Sequence, residues 1–225
     1  MLAGETASYN GHEYCLFPLP YMRCTQRGIP GDMSLYSHCC TYACDWGQPD
    51  PRTIVPVYAP FTGHLVNSGA ANGRCYFVSD DSVWTPGGLA YVTLELVHDN
   101  NPPASGAYAQ GSLIYHTGTA GNVTGAHVHI DQSNRADERI HNSGYACPGS
   151  STGACWTLPH TRPEDSIFYI TGNETIVNLR GLQFPTVPVT PTPVYTGNVA
   201  ILLLAKLLKR RKEQNARRDT SSIRL

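Results

Sequence analysis

A mainly β fold is what this 225-residue sequence predicts. Three observations carry that reading. Short extended segments alternate with turn signals from about residue 12 to residue 184, and the 21 glycines and 17 prolines supply many turns. No segment before residue 198 keeps a helical apolar period. Hydrophobic content of 41% with 15% charged residues excludes a largely disordered chain and suffices for one domain with its own core.

Residues 1–11 read as an N-terminal extension and residues 12–184 as the domain. Within it the clearest strands are residues 55–59 (VPVYA), 63–66 (GHLV), 75–79 (CYFVS), 91–98 (YVTLELVH), 113–116 (LIYH) and 126–131 (AHVHID). Each is rich in β-branched or aromatic residues, which fit a pleated, half-buried surface. Between them Asn72-Gly73, Pro86-Gly87-Gly88 and Gly121-Asn122 supply the chain reversals. Residues 185–197 (PTVPVTPTPVYTG) space four prolines among β-branched residues, the composition of a semi-rigid polyproline spacer. Residues 198–225 are rich in Leu, Lys, Arg, Glu and Ala and predict the one helix, apolar at its start and basic at its end.

The net charge of −1 is a cancellation. Residues 198–225 carry eight basic and two acidic side chains, a balance of +6. Residues 1–197 carry eight Arg and no Lys against fifteen Asp and Glu, a balance of −7. An acidic body offers no broad surface to a phosphate backbone, so no nucleic-acid partner is expected. The basic helix suits an anionic bilayer surface or an acidic groove on a partner protein. The first fifteen residues lack the basic start and apolar run of an export signal, and no run of about 18 to 20 apolar residues occurs.

Nine histidines are many for this length, and their placement matters more than their number. In His127-Val128-His129, residues i and i+2 of a strand face the same way, so two imidazoles enter one volume roughly 7 Å apart. One can bind a metal while the other meets a reacting group. His38 and Asp45, seven residues apart in HCCTYACD, add a borderline and a hard ligand. With one further imidazole they make a three-ligand zinc site with a position left for water.

His38 to Asp45, then VYAPFTGHLV, then LVHD around His98, then GTAGNVTGAHVHID stand in an order that closely resembles the lysostaphin and LytM type of zinc metalloendopeptidase, the M23 family of peptidoglycan hydrolases. The form found in bacteriophage lysins and tail-associated lysins is the most similar, because FPLPYMRCTQ and WTLPHTRPEDSIFYI also look like that branch. The resemblance covers about residues 11–184. It implies an antiparallel LytM-like sheet, with His38, Asp45 and His129 as ligands of Zn2+ and His98 and His127 as the non-ligand catalytic pair. It also implies hydrolysis of an amide in the peptide stem or cross-bridge of bacterial peptidoglycan. With that activity the proline spacer and helix are expected to tether the peptidase to phage tail proteins at the virion tail tip. A soluble endolysin and a non-catalytic wall-binding or structural module are the alternatives.

The remaining candidates are expected to be structural. His12, His64, His116, His141 and His160 read as surface or packing residues. Tyr42 and Trp46 are expected to wall the site, and Asp99 to be a solvated loop residue or else to orient an imidazole. The eight cysteines form no CxxC pair and predict buried, reduced thiols. Cys147 with Cys155 is the first choice for a disulfide in an oxidising compartment. Cys39, Cys40 and Cys44 crowd the His38 and Asp45 motif, where a thiolate could compete for zinc or a Cys40 to Cys44 bond could distort the ligand segment. A cysteine peptidase built on Cys44 and His127 is disfavoured, because no helix start would activate the thiol.

Overall fold

Polar and apolar side chains alternate along three neighbouring strands, and that alternation sorts one sheet into a core face and a site face. The computed structural model describes residues 6–19, 21–30, 32, 38–146, 154–158, 166, 168 and 175–177. The expected proline spacer and basic helix lie outside the described residues, as do His160 and Cys147. No α-helix occurs among the described residues. They form sixteen strands, all in antiparallel pairs apart from one isolated parallel bridge.

In chain order these are β1 (Ser8–Tyr9), β2 (His12–Glu13), β3 (Tyr21–Arg27), β4 (Cys44–Gly47), β5 (Pro56–Tyr58), β6 (Gly63–Asn67), β7 (Cys75–Ser79) and β8 (Val83–Thr85). They continue as β9 (Gly88–Ala90), β10 (Thr93–Val97), β11 (Gly106–Tyr108), β12 (Leu113–His116), β13 (His127–Ser133), β14 (His141–Ala146), β15 (Ala154–Thr157) and β16 (Thr175–Val177). Eight of them build the main sheet, in the order β11-β6-β7-β10-β13-β4-β3-β16. Four two-stranded ribbons, β1-β2, β12-β5, β14-β15 and β8-β9, complete the set. All six segments singled out from the sequence contain a strand, at β5, β6, β7, β10, β12 and β13.

The core lies under one face. Cys44 and Trp46 of β4, Val128 and Ile130 of β13, Leu94 and Leu96 of β10, and Cys75 and Phe77 of β7 all belong to it. The registers Val128↔Trp46 and Leu96↔Ile130 set these side chains beside one another across the strands. Tyr14, Phe17 and Leu19 close the core from the N-terminal side, with Phe17 edge-on to Trp46 at 4.9 Å between ring centres. Trp46 is fully buried, and its indole N–H donates to the Phe168 carbonyl at 3.1 Å, so a bulky polar handle is satisfied inside. Trp46 therefore does not wall the site, contrary to expectation. It follows Asp45 by one residue on a strand and must face the opposite way.

Five of the cysteines, Cys15, Cys24, Cys39, Cys44 and Cys75, are buried and not disulfide-bonded, as expected of structural thiols. Burial pushes the Cys75 thiol up to about 12, which makes it a poor nucleophile and a poor ligand. Cys40 is disulfide-bonded, and because Cys44 is free the considered Cys40 to Cys44 bond does not exist. The Cys40 partner has its side chain outside the described residues.

Candidate metal centre

The face opposite the core carries His127, His129 and Asp131 of β13, Asp45 of β4, and Glu95 and Val97 of β10. The registers His129↔Asp45 and Val97↔His129 put one residue from each of three strands in a single row. His38 reaches this row from the segment before β4. That segment is fastened to the end of β3 by Ile29 N donating to the His38 carbonyl at 3.2 Å and Gly28 N to the Ala43 carbonyl at 2.7 Å.

His38 Nε2, Asp45 Oδ1 and His129 Nδ1 form a triangle whose three edges are each 3.0 Å. The three residues are the group among the described residues whose donor atoms could hold a metal ion. His38 and Asp45 are almost completely buried. The triangle tests the fit. A ring N–H points along one line, so it cannot lie on the line to two acceptors that are themselves 3.0 Å apart. A cation facing all three lone pairs satisfies every atom at once. Tetrahedral zinc, with bonds near 2.0 to 2.1 Å, needs ligand atoms roughly 3.3 Å apart, close to the spacing found.

Electrostatics agree with that geometry. Burial disfavours an ionised Asp45, but the charges of His38 and His129 and the hydrogen bonds they make outweigh it and hold the carboxyl well below its usual range. Burial also opposes a charged His129, yet its bond to Asp45 and the charges of Asp45, Glu95 and Asp131 push it up to about 9. The cluster is thus built to hold positive charge, as a proton or as an ion. Its surroundings select for a cation.

His98 and His127 stand beside the triangle with ring centres 4.5 Å apart. His127 Nε2 lies 3.5 Å from Asp45 Oδ2. Each ring is tied at Nδ1 to a main-chain carbonyl, His98 to Ala120 at 2.8 Å and His127 to Gly125 at 2.9 Å. A carbonyl only accepts, so both rings carry their proton on Nδ1 and the neutral form presents Nε2 as an acceptor. Burial, and after it the charge of His127, push His98 down to about 4.

The His98 backbone is held in an unusual state. Its φ is +95°, in a region a non-glycine residue rarely adopts. The main chain around it is gripped by two glycines. A Cβ on Gly73 would fall 2.0 Å from the Asp99 carbonyl oxygen, and one on Gly118 would fall 2.1 Å from that of His98. Asp99 is buried rather than solvated, and it does not orient the His98 imidazole. Its carboxylate accepts from the His116 and Asn101 N–H groups, each at 2.8 Å, while Tyr115 Oη accepts from its N–H at 2.8 Å. The His98 ring is tied instead to the Ala120 carbonyl, a main-chain group that no residue type in the sequence marks.

Asp131 is a second residue the sequence did not mark. It is buried, and its Oδ2 accepts from Thr41 Oγ1 at 2.9 Å, Thr157 Oγ1 at 3.0 Å and Leu158 N at 2.9 Å. One carboxylate thereby ties the segment that delivers His38 to the strand that delivers His129.

All five site residues read from the sequence therefore meet in one cleft of about 490 Å³. Its other lining residues include Gln26, Gln48, Arg74 and Glu95. The remaining described histidine side chains lie elsewhere. His12 Nδ1 is 3.0 Å from the Ser82 carbonyl, His64 pairs with Asp80 at 2.9 Å and His116 Nδ1 stands 3.4 Å from Asp99. Tyr42 is partly exposed and is not among the residues lining the cleft. The fold and the cluster define a mainly β, antiparallel domain with a buried His-Asp-His group able to bind a metal ion. No known protein-family model matches the chain.

Proposed function

We propose that this protein is a zinc-dependent endopeptidase that hydrolyses amide bonds in the peptide stem or cross-bridge of bacterial peptidoglycan, as the lysostaphin and LytM type does. The observation that carries the reading is the adjacency of two unlike groups in one cleft. A closed triangle of ligand atoms lies next to two imidazoles whose Nε2 atoms are acceptors. Zinc bound by His38, Asp45 and His129 would supply a Lewis acid that polarises the amide carbonyl and acidifies water.

The protein's own side chains account for the proton. With Nδ1–H anchored to Gly125 and Ala120, the rings can gain a proton only at Nε2. Two rings 4.5 Å apart repel each other when both are charged, so the pair carries one proton at a time. One Nε2 takes that proton from the attacking water and returns it to the departing amine nitrogen. The main-chain anchors keep both rings oriented throughout.

The same proposal gives residues 185–225 the role of a tether, a proline spacer and basic helix that dock the enzyme on phage tail proteins for cell entry. Digestion of purified peptidoglycan, with the new amino terminus identified by mass spectrometry and His129→Ala as control, tests the enzyme. No release by a zinc-replete protein would favour a wall-binding module. Truncation after residue 184 tests the tether: virions that still incorporate the shortened protein would exclude it, whereas absence of the full-length protein from virions would favour a soluble endolysin.

A further inference from the structure

Arg74 is the only lysine or arginine among the described residues that line the cleft. It stands one residue before β7, where Cys75 pairs with Leu96 of β10, so it lies beside Val97, whose partner on β13 is His129. Two strand spacings separate its backbone from that of His129 by roughly 10 Å. Its Nε sits 2.7 Å from Oε1 of Glu95, and the two side chains differ sharply in access. Glu95 is 5% exposed and Arg74 is 26% exposed. Glu95 also lines the cleft, but Arg74 is the more accessible member of the pair.

Glu95 approaches Arg74 at Nε, and the contact is an ion pair rather than an aligned hydrogen bond. Among the described residues no ion pair engages its two terminal nitrogens. A planar guanidinium that lines a cleft and is ion-paired only at Nε keeps its terminal donors for a ligand, and its shape is matched to a carboxylate that accepts two parallel bonds. The setting adds selectivity, since residues 1–197 have a balance of −7 and would repel an anionic peptide elsewhere. We infer that Arg74, held by Glu95, is a substrate-carboxylate subsite that makes the cleft selective for stem peptides bearing a free carboxylate. An extended peptide advances about 3.3 Å per residue, which places that carboxylate within about three residues of the cleaved bond. This inference rests on the peptidase reading for the identity of the peptide, but the subsite itself is a binding property.

A free carboxylate could come from an internal glutamyl residue of the stem or from its C-terminus. Cross-linked stem-peptide dimers prepared in three forms separate them: all carboxyls free, the internal carboxyl amidated, or the C-terminal carboxyl amidated. Their affinities would be measured by calorimetry on the full-length, zinc-loaded His127→Ala protein, and kcat and KM on the protein with His127 intact. The expected result is that one amidation weakens binding about 10- to 100-fold. Arg74→Gln should remove that preference through KM rather than kcat, and Arg74→Lys should restore part of it. Zinc content measured on each variant separates a subsite effect from misfolding.

Equal binding of all three forms, or a preference that survives in Arg74→Gln, overturns the subsite. Preference in binding without cleavage of any form keeps the subsite and removes the peptidase reading. Equal cleavage of all three does the reverse.

Discussion

Two pairs of histidines share one cleft and are held in opposite ways. His38 and His129 turn nitrogens toward each other and toward Asp45, with every edge at 3.0 Å. His98 and His127 instead turn one nitrogen to a main-chain carbonyl and leave the other facing the cleft. What a histidine can do is therefore decided by the group on its far nitrogen. Converging lone pairs make a cation site, and a ring anchored at Nδ1 makes a proton acceptor at Nε2.

The comparison breaks most completely at the triangle. Asp45→Ala or His129→Ala should abolish stoichiometric zinc binding and reduce peptidoglycan release to background, because a converging cluster with one corner missing leaves two ligands. Metal analysis of the purified variants together with a release assay checks this. His127→Ala should separate the two functions. It is expected to keep one zinc per chain while losing about 10²- to 10⁴-fold in turnover, the range spanned by general acid-base catalysis. A variant that lost its metal as well would merge the two pairs into one unit.

Protons give a smaller contrast. Without metal, His129 is raised to about 9 in the folded protein from an ordinary value near 6.5. Its contribution to stability is then fully present below about pH 6.5 and is lost as pH rises through 9, on the order of 3 kcal/mol. Asp45, held low, contributes in the opposite sense: its share is present at neutral pH and is lost in acid. Chemical denaturation of the metal-free protein between pH 6 and 10 should record the first loss. Bound zinc should abolish it, since the ion replaces the proton.

The smallest expected effect lies at Asp131. Asp131→Asn keeps the size but weakens the bonds to Thr41, Thr157 and Leu158, so zinc affinity should fall about 10- to 100-fold with the fold retained. Competition with a chromogenic chelator would measure it. Unchanged affinity would mean that His38 is placed without this tie.

The sequence revealed strands best where alternation or a buried run was long enough to see. HVHIDQS of β13 alternates, and TLELV of β10 and CYFVS of β7 are buried at every position. β4 escaped separate notice because four residues of mixed type, CDWG, carry little pattern by themselves. Its alternation was nonetheless available. Asp45 and Trp46 are consecutive on a strand, and applying that period would have sent the indole to the core. The five polar site residues were legible because metal and proton chemistry restricts residue types. Thr41, Asp131, Arg74 and Glu95 were not, because their roles exist only through contacts between distant segments. Asp131 and Thr41 are 90 residues apart.

The two glycines that grip His98 carry a lesson for anyone comparing copies of this domain. Aligning the five polar residues would score a copy as intact even if Gly73 or Gly118 had become alanine. The added methyl group would meet a carbonyl oxygen at about 2 Å, so the main chain bearing His98 would have to shift and the imidazole with it. Such a copy would keep all five polar residues around a disarranged site. The two hydrogen atoms that stand in place of side chains are as diagnostic of an intact cleft as the imidazole they position.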